Sequence, residues 1–99
     1  MERYTKLTGG WRYIGLKRVK VGDKLKVEYG HFEGEPSIAL YIVISKDEEY
    51  LIGYLPKERA RELYDMHHEK GINFNYYIAN LNYRPTTKEL VGANIKVEW

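Results

Sequence analysis

The residues of this sequence whose types do chemistry fall into a His67-His68-Glu69 run with Asp65 beside it, the carboxylate groups Glu33/Glu35 and Asp47/Glu48/Glu49, and basic residues interleaved with aromatics. A helical metal site needs ligands four apart on one face, as in His-Glu-x-x-His, whereas adjacent helical residues point about 100° apart. Asp65 and Glu69 do share a face, but such pairs are common on solvated helices. No metal is expected, and Tyr64 and His67 should pack at a helix margin. General acid-base work needs two groups held in contrasting environments, and carboxylates at a hairpin tip are simply wet. The chain has no Gly-x-Ser-x-Gly elbow, no phosphate-binding Gly-x-x-x-x-Gly-Lys loop and no dinucleotide fingerprint. Neither catalysis nor a cofactor is therefore expected; if the domain serves an enzyme, it does so as a targeting part.

The basic and aromatic residues point to binding instead. Net charge is only +2, but residues 1 to 28 hold Arg3, Lys6, Arg12, Lys17, Arg18, Lys20, Lys24 and Lys26 against Glu2, Asp23 and Glu28. Residues 29 to 50 reverse the balance, with Glu33, Glu35, Asp47, Glu48 and Glu49 against Lys46, so a polarised surface is expected. Ten tyrosines and two tryptophans are many for this length, and aromatics near cations are what single-strand binders use for stacking. Tyrosine also favours strands and can fill a small barrel wall with its hydroxyl in water.

Ninety-nine residues suit one domain spanning residues 1 to 99, since so short a chain cannot bury two cores. Its longest apolar run, Ile38 to Ile44, has strand length, far below the roughly 18 residues of a membrane span. Met1 leads straight into polar residues without a secretory signal, and the absence of cysteine fits a reducing compartment. A cytoplasmic protein is expected.

The elements that must position these residues follow from pattern. Trp11 to Leu16 reads as a first strand, Lys24 to Tyr29 alternates polar with apolar as a second, and Gly30 to Ser37 reads as a loop. Ile38 to Ser45 is a central strand, Lys46 to Glu49 a hairpin tip, and Tyr50 to Leu55 its partner. From Pro56 the period becomes helical, with Ala60, Leu63, Tyr64 and His67 on one side and Glu58, Arg59, Arg61 and Glu62 toward water. Gly71 ends this helix of about 13 residues. Asn73 to Tyr83 and Asn94 to Trp99 return as strands. The predicted fold is α+β and mostly β: a small OB-like curled antiparallel barrel with one main helix.

The segment Ile52-Gly53-Tyr54-Leu55-Pro56-Lys57-Glu58-Arg59-Ala60 resembles the signature of HIRAN domains, in which a strand ending in Gly-Tyr-Leu-Pro enters an Ala-containing helix. Val21-Gly22-Asp23-Lys24-Leu25-Lys26-Val27 resembles the family's Gly-Asp strand, and Pro36-Ser37 before an apolar strand occupies the place of its Asp-Pro-Asn-Ala-Ile block. The resemblance spans roughly Trp11 to Trp99. It implies a free-standing nucleic-acid-binding module for single-stranded DNA or DNA 3′ ends, working with a DNA-processing protein. It further implies that Arg12 contacts phosphate and Tyr13 stacks on a base. Lys57 lies near the end phosphates, Tyr54 stands where some members have histidine, and Glu35 matches an aspartate that receives the 3′-hydroxyl. The preceding loop departs from the pattern, because Gly34 replaces a stacking tyrosine and Ser37 an asparagine; Phe32 is the nearby aromatic that could supply the ring.

A reading of another class is a protein-interaction module, with Phe74, Tyr76, Tyr77 and Tyr83 facing a partner or a second copy. Alternation places Phe74, Tyr76 and Ile78 on one face and Asn75, Tyr77 and Ala79 on the other, and one of those faces must be core.

Overall fold

The computed structural model of the chain describes residues 1–9 and 13–99. Six antiparallel strands form one curled sheet: β1 (Glu2–Lys6), β2 (Lys24–Phe32), β3 (Glu35–Ser45), β4 (Glu48–Tyr54), β5 (Asn75–Tyr83) and β6 (Leu90–Glu98), ordered β1-β6-β5-β2-β3-β4. A single helix among the described residues, α1 (Lys57–Lys70), lies between β4 and β5 in the chain. The protein is thus α+β, mostly β and barrel-like.

The sheet curls until its two ends meet. Thr8, just past β1, pairs antiparallel with Tyr54 at the end of β4, through Thr8 N–H to Tyr54 O at 2.7 Å and Tyr54 N–H to Thr8 O at 3.1 Å. The Thr8 hydroxyl donates to the same carbonyl at 2.9 Å. Joining the ends satisfies backbone groups that an open edge would leave for another chain. Gly53 makes the join possible. Its φ is +148°, and a Cβ there would lie 2.8 Å from both Leu7 Cγ and Thr8 O. The glycine of the Gly-Tyr-Leu-Pro segment is therefore a closure residue, where only a bare backbone fits.

Two sequence expectations are overturned. The described part of the expected Trp11–Leu16 strand pairs into no strand: Tyr13 is extended but Ile14–Arg18 forms a 3-10 turn, and the first strand is Glu2–Lys6. The turn presses against β4, since a Cβ on Gly15 would sit 2.4 Å from Leu51 O, and this contact buries Leu16. Nor is Gly30 to Ser37 a loop. β2 and β3 pair directly from Lys26↔Tyr41 to Phe32↔Glu35, leaving a two-residue turn at Glu33 and Gly34. Their φ values, +52° and +79°, are those of a type I′ hairpin turn, whose twist matches the strands. Pro36 sits within β3 without breaking the sheet, because pairing of β3 to β4 begins only at Ala39.

Inward-facing residues of all the strands from β2 to β6 build the core, among them Leu25, Ile38, Leu40, Ile52, Ile78 and Ile95. Phe74 and Tyr76 belong to it as well, being 7% and 0% exposed. They are not available to a partner, and only Tyr77 and Tyr83 of the aromatic stretch lie outside. Helix α1 starts after Pro56, buries Ala60 and Leu63, and ends at Gly71 in the left-handed conformation, its N–H donating to His67 O. No helix among the described residues is long and apolar enough to cross a membrane.

Candidate nucleic-acid interface

The end of β4, the start of α1, the start of β3 and the residue before the 3-10 turn converge on a cleft of about 620 Å³. Tyr13, Glu35, Tyr54 and Lys57 all line it, so four of the five residues singled out by the resemblance come together from distant parts of the chain. Arg12 lies outside the described residues, as does any relation between its side chain and Lys57. The barrel closure is part of this convergence: Tyr54, paired to Thr8 by its backbone, also meets the Tyr13 ring.

The Tyr13 and Tyr54 rings meet edge to face, with centroids 6.2 Å apart and planes at 63°. That geometry suits the ring quadrupoles and holds two aromatic surfaces at an angle on one wall. Phe32, 70% exposed, is carried to the cleft by the tip of the β2–β3 hairpin. Gly34 cannot replace a stacking ring, because it is spent on the turn that puts Phe32 there.

Charge on the cleft is tightly coupled. Glu35 accepts a hydrogen bond from the Arg61 guanidinium and has the Lys57 ammonium 4.0 Å away. The Arg61 hydrogen bond and charge hold the Glu35 carboxyl below the usual carboxylate range, and Glu35 in turn raises Arg61. Arg61 is exposed, as its place on the wet side of the helix predicts, and it reaches Glu35 from there. A signal was available, since Lys57 and Arg61 are four apart and so share a helical face, which here is the face turned to Glu35. Lys57 remains 70% exposed at its side chain, and the carboxylates Glu33 and Glu35 balance Lys57 and Arg61 among the described residues. The cleft is therefore not strongly positive, and its exposed ammonium lies at Lys57.

A second aromatic cluster braces the walls. Tyr29 of β2 stacks on His67 of α1 at 4.3 Å, Tyr64 stacks on His68 at 4.0 Å, and His31 meets Tyr64 edge-on at 5.1 Å. His67 Nδ1 donates to Ile72 O at 2.8 Å and His68 Nδ1 to Tyr64 O at 3.1 Å. The paired histidines are engaged in packing, and no cluster of His, Cys, Asp or Glu among the described residues is arranged to hold a metal. This contact fixes the hairpin carrying Phe32 and Glu35 relative to the helix carrying Lys57 and Arg61.

Compared with known proteins, the chain matches no family model, no curated protein and no solved structure.

Proposed function

We propose that the chain is a HIRAN-like module that binds single-stranded DNA, at strand ends, through this cleft. The observation that carries the reading is the Tyr13–Tyr54 ring pair beside exposed Lys57 in one cleft. Terminal bases stack on these rings and on Phe32, each contact contributing about 1–3 kcal/mol. Lys57 meets a phosphate at the rim, and Arg12, adjacent in sequence to Tyr13, is the candidate for another. Glu35 accepts the terminal 3′-hydroxyl with the lone pairs that Arg61 leaves free. The module works beside a DNA-processing protein and in the cytoplasm, with no chemistry of its own.

The test is anisotropy of labelled single strands carrying a free or a blocked 3′ end. Tyr13→Ala combined with Lys57→Ala should weaken binding at least tenfold, since about 1.4 kcal/mol is one decade. Unchanged affinity in that variant, with its fold intact, would remove the cleft as the site.

A further inference from the structure

The outer face of the sheet carries another arrangement of aromatic and basic side chains that the cleft does not use. The registers put Tyr4 of β1 opposite Lys96 of β6, Lys96 opposite Tyr77 of β5, and Tyr77 opposite Lys24 of β2. One row across four strands therefore alternates phenol, ammonium, phenol, ammonium. Its strand neighbours Ile95, Val97, Tyr76, Ile78 and Leu25 are all buried, so period-two alternation turns the row outward. Tyr4 is 54% exposed, and the Lys96 ammonium lies 5.1 Å from the Tyr77 ring centroid.

The next row on this face is Lys6, Asn94 and Asn80. Its amides are chained, Asn94 Nδ2 donating to Asn80 Oδ1 at 3.0 Å and Asn80 Nδ2 to Asn82 Oδ1 at 2.9 Å. Opposite Asn82 stands Gly92, which leaves the sheet low at that point. On the other side of the tyrosine row lie Glu2 and Glu98, and Glu98 pairs with Lys96 at 3.1 Å. Lys6 and Lys24 have no ion-pair partner among the described residues. The face thus has an acidic margin and an opposite flank of unpaired lysine and amide.

We propose that this outer face is a second binding surface for single-stranded nucleic acid, distinct from the cleft. Bases stack on Tyr4 and Tyr77, which stand two strands or about 10 Å apart and so take separate rings. Phosphates neutralise Lys6 and Lys24, the two lysines of these rows without an ion-pair partner among the described residues. The Asn80 and Asn82 amides face base edges, where amides are effective partners. A protein partner fits less well, because interface cores deplete lysine and here lysine alternates with tyrosine across the row. A duplex fits less well too, because its base faces are already stacked.

The experiment uses the full chain and a labelled oligodeoxythymidylate of about 12 nucleotides with a phosphate-blocked 3′ end, titrated at several salt concentrations. Tyr4→Ala with Tyr77→Ala should weaken binding about tenfold or more, while Tyr4→Phe with Tyr77→Phe, which keeps the rings, should bind as the parent does. Lys6→Ala with Lys24→Ala should reduce the logarithmic salt slope by about 1.4, roughly 0.7 for each lost phosphate contact. If the alanine pair does not fold, the lysine pair decides by that slope. Parent-like binding by the sheet variants, or no binding by the parent at low salt, overturns the proposal. The cleft is judged separately by Tyr13→Ala with Lys57→Ala on free-ended strands: loss there with parent-like sheet variants leaves the cleft reading standing alone, and the converse leaves the sheet.

Discussion

Arg61 of α1 and Glu35 of β3, 26 residues apart in the chain, are joined in an ion pair on the wall of the cleft, with Lys57 on the same carboxylate. The pair ties the helix to the hairpin and sets the charge that a strand end would meet. Being exposed, it contributes little to stability.

The titration of Glu35 should report this pairing directly. Arg61 favours the ionised carboxylate, so the folded value lies below the ordinary 4.5. A lowered folded value means that the pair's stabilisation is fully present above the unfolded value and is lost as pH falls through the folded one. Side-chain carboxyl shifts followed by NMR should show a midpoint below 4.5 in the parent and a return toward it in Arg61→Ala. A parent midpoint at or above the ordinary value would mean that the pair is not formed in solution.

End discrimination should respond in opposite directions to the two partners. A 3′-phosphate is repelled by the Glu35 charge, so Glu35→Gln should reduce the preference for free over phosphorylated ends while leaving binding within a strand nearly unchanged. Arg61→Ala removes the neutralising cation and should sharpen the same preference. Competition between the two oligonucleotides measures both. Equal affinity for the two ends in all three proteins would make Glu35 a structural carboxylate only.

The glycines at Gly53 and Gly34 should differ sharply in their tolerance of alanine. Both have positive φ, but a Cβ on Gly53 collides with Leu7 and with the Thr8 carbonyl, whereas one on Gly34 meets nothing within 4 Å. Gly34→Ala should cost about 1 kcal/mol from backbone conformation alone. Gly53→Ala should cost about 2–4 kcal/mol, because strain and the displaced barrel closure add. Denaturant midpoints at constant slope would measure the difference, and comparable losses at the two positions would show that closure at Thr8–Tyr54 contributes nothing.

How much of this was legible in the sequence depended on whether the signal was local. Helix α1 was, because Pro56, the spacing of Ala60 and Leu63, and Gly71 each act within a few residues. The cores of β2, β3, β4 and β5 were legible too, since alternating or continuous apolar residues decide which face can leave water. β1 was not. Glu2-Arg3-Tyr4-Thr5-Lys6 has no apolar face, and it becomes a strand only because the β6 edge offers it partners. The 3-10 turn at Ile14–Arg18 likewise follows from contact with Leu51, which local pattern does not register. Residue identity marked Tyr13, Glu35, Tyr54 and Lys57 as a set, but their meeting in one cleft needed the sheet to close at Thr8 and Tyr54. Tertiary structure alone decided that Arg61 answers Glu35 and that tyrosine and lysine alternate across four strands. Pairings of this kind depend on register and curvature, which arise from many distant contacts at once and leave no periodic trace along the chain.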